Sequence, residues 1–162
     1  VMAYGGGTTR DLLIGIRPVS WINDNFAIII VLVTTIITFF FKLNFKVIKK
    51  LLFWTDAFGI GFFTIVGLQI ALQAGISEGY ALIMGVITAT FGGLLADVLC
   101  NSVPNLLKPG ELYATACLIG GALFIGMKFF KINTEISMIV CVLVTATIRI
   151  YSIRKKLQLP VV

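Results

Sequence analysis

Residues 5–11 read Gly-Gly-Gly-Thr-Thr-Arg-Asp, and residues 89–97 read Ala-Thr-Phe-Gly-Gly-Leu-Leu-Ala-Asp. In both stretches glycines are followed, about one helical turn later, by an ionisable residue, and both stretches lie inside apolar runs. Consecutive glycines weaken a helix, each by about 1 kcal/mol relative to Ala. In lipid the backbone groups they free need partners from protein or water. Gly5, Gly6, Gly7, Gly92 and Gly93 are therefore predicted to break helices along a hydrated path; the alternative is that they allow close helix packing. Arg10, Asp11 and Asp97 follow the glycines at membrane depth, where a charge must face a partner or water. Asp56 and Arg149 are further charges inside apolar runs. They are expected to support the path as ion pairs, or merely to staple helices together. Thr8, Thr9 and Thr90, with Thr64, Thr88 and Gln69, add uncharged oxygens, which coordinate a monovalent cation without trapping it.

Catalysis finds little support. The chain has no His, which removes His-based acid–base chemistry and most zinc sites. Nucleophile-elbow, zinc-protease and phosphate-loop motifs are absent. Cys100, Cys117 and Cys141 are odd in number and lack CxxC spacing, so they are read as small core residues and no metal site is expected. The predicted protein is not an enzyme and carries no cofactor.

These residues need a membrane to position them. Of 162 residues, 59% are apolar and only 12% charged, against about 25% charged in a typical soluble domain. Mean hydropathy is +1.05. Such a chain has too few polar groups to cover a soluble surface. The net charge of +6 is better explained by loop position than by nucleic acid. Apolar runs at 26–41, 51–72, 80–100, 112–127 and 136–151 predict helical spans, and residues 1–16 resemble the second half of another. β-Barrel strands would alternate polar and apolar residues, and these runs do not. Trp21, Trp54, Tyr80 and Tyr113 fall near span ends, where aromatic belts form.

Two segments align at an offset of 86 positions: Ala3/Ala89, Gly6/Gly92, Gly7/Gly93, Asp11/Asp97, Leu13/Leu99 and Pro18/Pro104 are identical. The second copy has one span before its glycine span and one after. Three spans per copy force the two copies into opposite orientations, the inverted repeat of many transporters and channels. The first copy lacks a counterpart of the Asp56 span. In repeat register the counterpart of Asp56 falls roughly 30 residues upstream of Val1, so the natural protein is expected to begin about 35–40 residues earlier, with one more span. The expected fold is thus all-α and integral to the membrane, with two inverted three-helix repeats (3+3) and a seventh helix. The predicted divisions are residues 1–50 (first repeat, lacking its first helix), 51–131 (second, inverted repeat) and 132–162 (seventh helix and tail). Lys42, Lys46, Lys49, Lys50, Lys108, Arg154, Lys155 and Lys156 collect on one side, against Arg17, Lys128 and Lys131 on the other. The positive-inside rule places the C-terminus in the cytoplasm.

GGGTTRDLLIGIRPVSW (5–21), DAFGIGFFTIVGLQIAL (56–72), GGLLADVLCNSVP (92–104) and ELYATACLIGG (111–121) together resemble prokaryotic members of the trimeric intracellular cation (TRIC) channel family, whose repeat also carries the label glycine transporter. The resemblance implies a homotrimer in the prokaryotic plasma membrane, with a K⁺- and Na⁺-conducting pore inside each protomer and glycine-broken helices lining it. The second copy departs from the family pattern: Phe91 and Ala96 stand where relatives often carry a third Gly and an Arg. A secondary transporter of a small zwitterion such as glycine is the alternative, since inverted repeats with broken helices suit alternating access equally well.

Overall fold

Apolar runs, closed by residues that can leave the helical conformation, give six α-helices. They are α1 (Gly5–Ile14), α2 (Asn25–Phe40), α3 (Phe45–Gln73), α4 (Glu78–Leu99), α5 (Tyr113–Phe129) and α6 (Thr134–Lys155). The computed structural model describes residues 1–40, 45–107 and 112–155. Lys42, Lys108 and Lys156, three of the charges used to orient the chain, lie outside the described residues, as do the side chains of Lys46, Lys49 and Lys50. Every predicted span is a helix, and the described residues contain no strand. Leu51–Gln73, Glu78–Leu99 and Thr134–Lys155 are long and apolar enough to cross a membrane, whereas α2 and α5 are shorter apolar helices.

Four helices stop in the same way. Gly15 (φ +78°), Gly75 (φ +82°), Asn101 (φ +51°) and Lys131 (φ +55°) take the left-handed conformation just past α1, α3, α4 and α5. The N–H of the following residue then returns to a carbonyl five positions back: Ile16 to Asp11 (2.9 Å), Ile76 to Ala71 (3.1 Å), Ser102 to Asp97 (2.9 Å) and Ile132 to Met127 (3.1 Å). This closure satisfies carbonyls that a helix end leaves open. At the other end, Asp24 Oδ1 accepts the Ala27 N–H (3.0 Å) before α2, and Asn133 Oδ1 accepts the Glu135 N–H (2.8 Å) before α6. Both are N-caps of the ordinary kind.

The core lies between α3, α4, α5 and α6, where Ile65, Leu68, Ala71, Ala81, Phe124 and Cys141 cluster. A second cluster holds Ile60, Ala89, Tyr113 and Cys117. Helix α3 packs mainly on α4 and α6, and α1 packs on α4. Helix α2 buries no side chain, and among the described residues it touches only the 3₁₀ turn Ser20–Asn23 that precedes it. A helix apolar on all faces and bare of protein suits lipid, not water. Cys117 and Cys141 are core residues as expected, but Cys100 is exposed. It follows the last turn of α4, beyond the packed part of that helix.

The expected glycine break in α4 does not occur. The helix runs without interruption from Glu78 to Leu99, through Gly92 and Gly93, and α1 is helical from Gly5 onward. The roughly 1 kcal/mol helix penalty of Gly6 and of Gly92 is offset here by the backbone-to-backbone packing they permit.

Candidate permeation path

The two glycine helices meet at their glycines. A Cβ added to Gly6 would overlap the Thr88 carbonyl oxygen, and one added to Gly92 would lie 2.5 Å from the Met2 carbonyl oxygen. Met2 and Thr88 are themselves 86 positions apart, as are Gly6 and Gly92. The contact is therefore reciprocal, as across a two-fold axis. Residue numbers rise from Met2 into α1 at Gly6 while they fall along α4 from 92 to 88, so the two segments run in opposite directions at this crossing. The helix stops obey the same symmetry. Gly15 matches Asn101, the Ile16–Asp11 bond matches the Ser102–Asp97 bond, and each is followed by a proline and a 3₁₀ turn, Ser20–Asn23 or Asn105–Leu107.

Gly7 and Gly93 behave differently from their neighbours. Each is only half-buried. A Cβ on Gly7 would meet nothing nearer than the Arg10 guanidinium at 3.8 Å, and one on Gly93 nothing nearer than the Tyr113 hydroxyl at 3.9 Å. Gly5 is buried, with Leu95 and the Gly92 backbone against it.

Arg10 and Asp11 form a closed unit at the end of α1, both almost fully buried. Asp11 Oδ1 accepts from Arg10 Nε (2.9 Å) and Nη2 (2.6 Å). Its Oδ2 accepts from the Ser20 backbone N–H (2.8 Å) and the Ser20 hydroxyl (2.7 Å). Four donors fill the acceptor sites of a carboxylate. The same loop is tied down again one turn earlier: Trp21 Nε1 donates to Thr8 Oγ1 (2.8 Å), and the Trp21 ring stacks on Tyr4 at 4.8 Å. Trp21, half-buried, thus ties the loop to α1.

Asp97 occupies the matching position in the second copy with different surroundings. The counterparts of Arg10 and Ser20 are Ala96 and Leu106. Asp97 is half-buried, and the Ser102 hydroxyl lies 3.5 Å from its Oδ1. Because α1 and α4 run oppositely, Asp11 and Asp97 lie toward opposite faces, separated by roughly 20 Å at 1.5 Å per residue.

A third polar centre joins α3, α5 and α6. Asp56 Oδ1 accepts from the Tyr113 hydroxyl (3.0 Å), and Asp56 Oδ2 lies 3.7 Å from Arg149 Nη2. The Arg149 guanidinium sits over the Tyr113 ring at 4.5 Å, a cation–π contact in a buried setting. The expected pairing of the two intramembrane charges is observed. Tyr113, read from sequence as a belt residue, is instead buried between them. Ser20 and Tyr113 are the residues that sequence reasoning missed; their positions at helix ends carried no signal of their partners.

Buried hydroxyls line the rest of the interior. Thr64, Thr88 and Thr90 donate to the carbonyls of Ile60 (2.6 Å), Met84 (2.7 Å) and Val86 (2.8 Å), and Thr9 donates to Gly5 (2.9 Å). Each hydrogen points back along its own helix, so the oxygen lone pairs remain for a ligand. Glycine makes room for several of these groups. Gly67 faces the Thr88 side chain, Gly85 faces the Thr64 carbonyl, and Gly120 faces Thr145 on α6.

An antiparallel glycine crossing, repeat-matched helix stops and ionisable groups held at membrane depth define an integral membrane protein built on inverted three-helix repeats. The comparisons agree. The family profile described as "Glycine transporter" matches residues 1–42 and 53–128. A UPF0126 membrane protein of Vibrio cholerae is 37% identical over 99% of this chain and 67% of its own length. The UPF0126 inner membrane protein YadS of Escherichia coli is 35% identical over 99% of this chain and 78% of its own. Among solved structures, the TRIC trimeric intracellular cation channel orthologue from Rhodobacter sphaeroides superposes with a TM-score of 0.87 at 34% identity, covering 97% of this chain and 80% of that one. The chain belongs to the prokaryotic TRIC channel family, the family of the glycine-transporter repeat.

Proposed function

We propose that this protein conducts monovalent cations, K⁺ and Na⁺, down their gradients through a path inside each protomer. The observation that carries the reading is the TM-score of 0.87, at 34% identity, with a TRIC cation channel. The interior chemistry is compatible with it. Thr9, Thr88 and Thr90 offer oxygens whose hydrogens are already engaged, and such weak, repeated ligands let an ion enter and leave. Gly7 and Gly93, open on one side, would leave room for a hydrated ion beside the helices. Asp97 would attract cations toward one mouth, while Asp11, neutralised by Arg10, would hold the opposite end in shape. Gly5, Gly6 and Gly92 act in this scheme as the crossing that sets the width of the path. Asp56 and Arg149 brace the helices beside it.

The working unit in this proposal is a homotrimer in the bacterial inner membrane with its C-terminus in the cytoplasm. Its relatives include an inner membrane protein and trimeric channels. Flux assays separate this reading from the transporter alternative that the family description raises. Proteoliposomes loaded with K⁺ should become inside-negative on dilution into a medium whose only cation is impermeant, with no dependence on glycine. Saturable uptake of labelled glycine without cation leak would favour the transporter instead.

A further inference from the structure

A cavity of about 230 Å³ lies away from the glycine crossing, where α3 and α5 end and α6 begins. Its polar wall includes Gln69, Gln73, Lys128 and Thr134, and its apolar wall includes Leu72 and Phe124. The conduction scheme proposed above builds on none of these six; Gln69, read from sequence as an oxygen of the path, lines this cavity. The Gln69 side chain is half-buried and that of Gln73 is exposed, so both carboxamides are open to a ligand that enters the cavity. Lys128 has Glu78 as its neighbour at 3.8 Å, but both side chains are more than half exposed (53% and 59%). Such a pair is weak, so the ammonium is free to turn toward an anion in the cavity.

The geometry points to a binding site for a phosphate oxyanion carried on a small apolar-backed molecule, either a lipid headgroup or a free organophosphate. Lys128 supplies the charge, and the carboxamide N–H groups of Gln69 and Gln73 supply charge-assisted hydrogen bonds. Thr134 adds a hydroxyl. Leu72 and Phe124 face the glycerol or the start of an acyl chain. The volume lies below the 300–1,000 Å³ typical of drug-sized pockets, so it suits a headgroup and not a whole lipid. Its place at helix ends is the depth of lipid phosphates.

The test is thermal unfolding of the purified protein in a neutral detergent, titrated with short-chain phosphatidylglycerol, with short-chain phosphatidylcholine, or with glycerol 3-phosphate at constant ionic strength. Saturable stabilisation by phosphatidylglycerol alone assigns the site to a lipid headgroup, and stabilisation by glycerol 3-phosphate as well assigns it to free organophosphate. In both cases Lys128→Gln and Gln69→Leu should raise the half-saturating concentration on the order of tenfold, the loss expected for one charge-assisted hydrogen bond. Glu78→Gln, which frees Lys128, should lower it. Equal stabilisation of wild type and all three variants, or none by any of the ligands, overturns the proposal whether or not the protein conducts ions.

Discussion

Asp11 has four hydrogen-bond donors and almost no exposure, so its charge is a structural clamp between α1 and the Ser20–Asn23 turn. Removing it leaves the Arg10 guanidinium buried without its partner, which costs about 3–5 kcal/mol. Asp11→Ala should therefore lower the melting temperature in detergent sharply. Ser20→Ala keeps the backbone donor and loses one bond to a charged group, worth about 1.5–3 kcal/mol, so its shift should be smaller. If Asp11→Ala melts like wild type, the clamp is not structural. Tyr113→Phe keeps the ring under Arg149 but removes the hydroxyl from Asp56. It should destabilise by a similar ~1.5–3 kcal/mol, whereas Tyr113→Leu, which loses the cation–π contact too, should cost more. Neither Ser20 nor Tyr113 was legible in the sequence. A hydroxyl near a helix end looks the same whether it meets solvent, lipid or a carboxylate from another helix, and only the tertiary packing decides. Asp56 and Arg149 could be read as a pair because a charge inside an apolar run has few alternatives.

At the scale of the helix, the spans were legible because an apolar run of membrane length has essentially one fold open to it in lipid. The role of the glycines was not. Glycine serves both a broken helix and a close crossing, and the sequence does not say which neighbour will approach. The structure divides the glycines by position. Gly6 and Gly92 face backbone, while Gly7 and Gly93 face open space or the tip of a side chain. Gly6→Ala and Gly92→Ala must push α1 and α4 apart, so both should destabilise the protein or disturb its conduction, by similar amounts because the contact is reciprocal. Gly7→Ala and Gly93→Ala should fold normally and gain up to about 1 kcal/mol of helix propensity. Thermal unfolding of the four alanine variants checks this; four equal effects would contradict a division of the glycines by what faces them.

For the whole molecule, the internal repeat was the most informative reading. It rests on six identities at one offset, and the structure shows the same offset in places sequence identity does not reach: Met2 with Thr88, Gly15 with Asn101, Ile16 with Ser102. The symmetry is not complete. Asp11 has Arg10 and Ser20, whereas Asp97 has Ala96 and Leu106 at the matching places. One end is thereby locked, and the other keeps a half-buried carboxylate. In the proposed cation path, which runs past Asp97, Asp97→Asn should reduce unitary K⁺ conductance, most clearly at low salt where screening is weak. Recording from the purified protein in planar bilayers under symmetrical KCl tests conduction most directly. A cation pore predicts unitary currents whose reversal potential follows the K⁺ gradient when one side is diluted. A silent bilayer containing well-folded protein, or currents that reverse at the Cl⁻ potential, would contradict it.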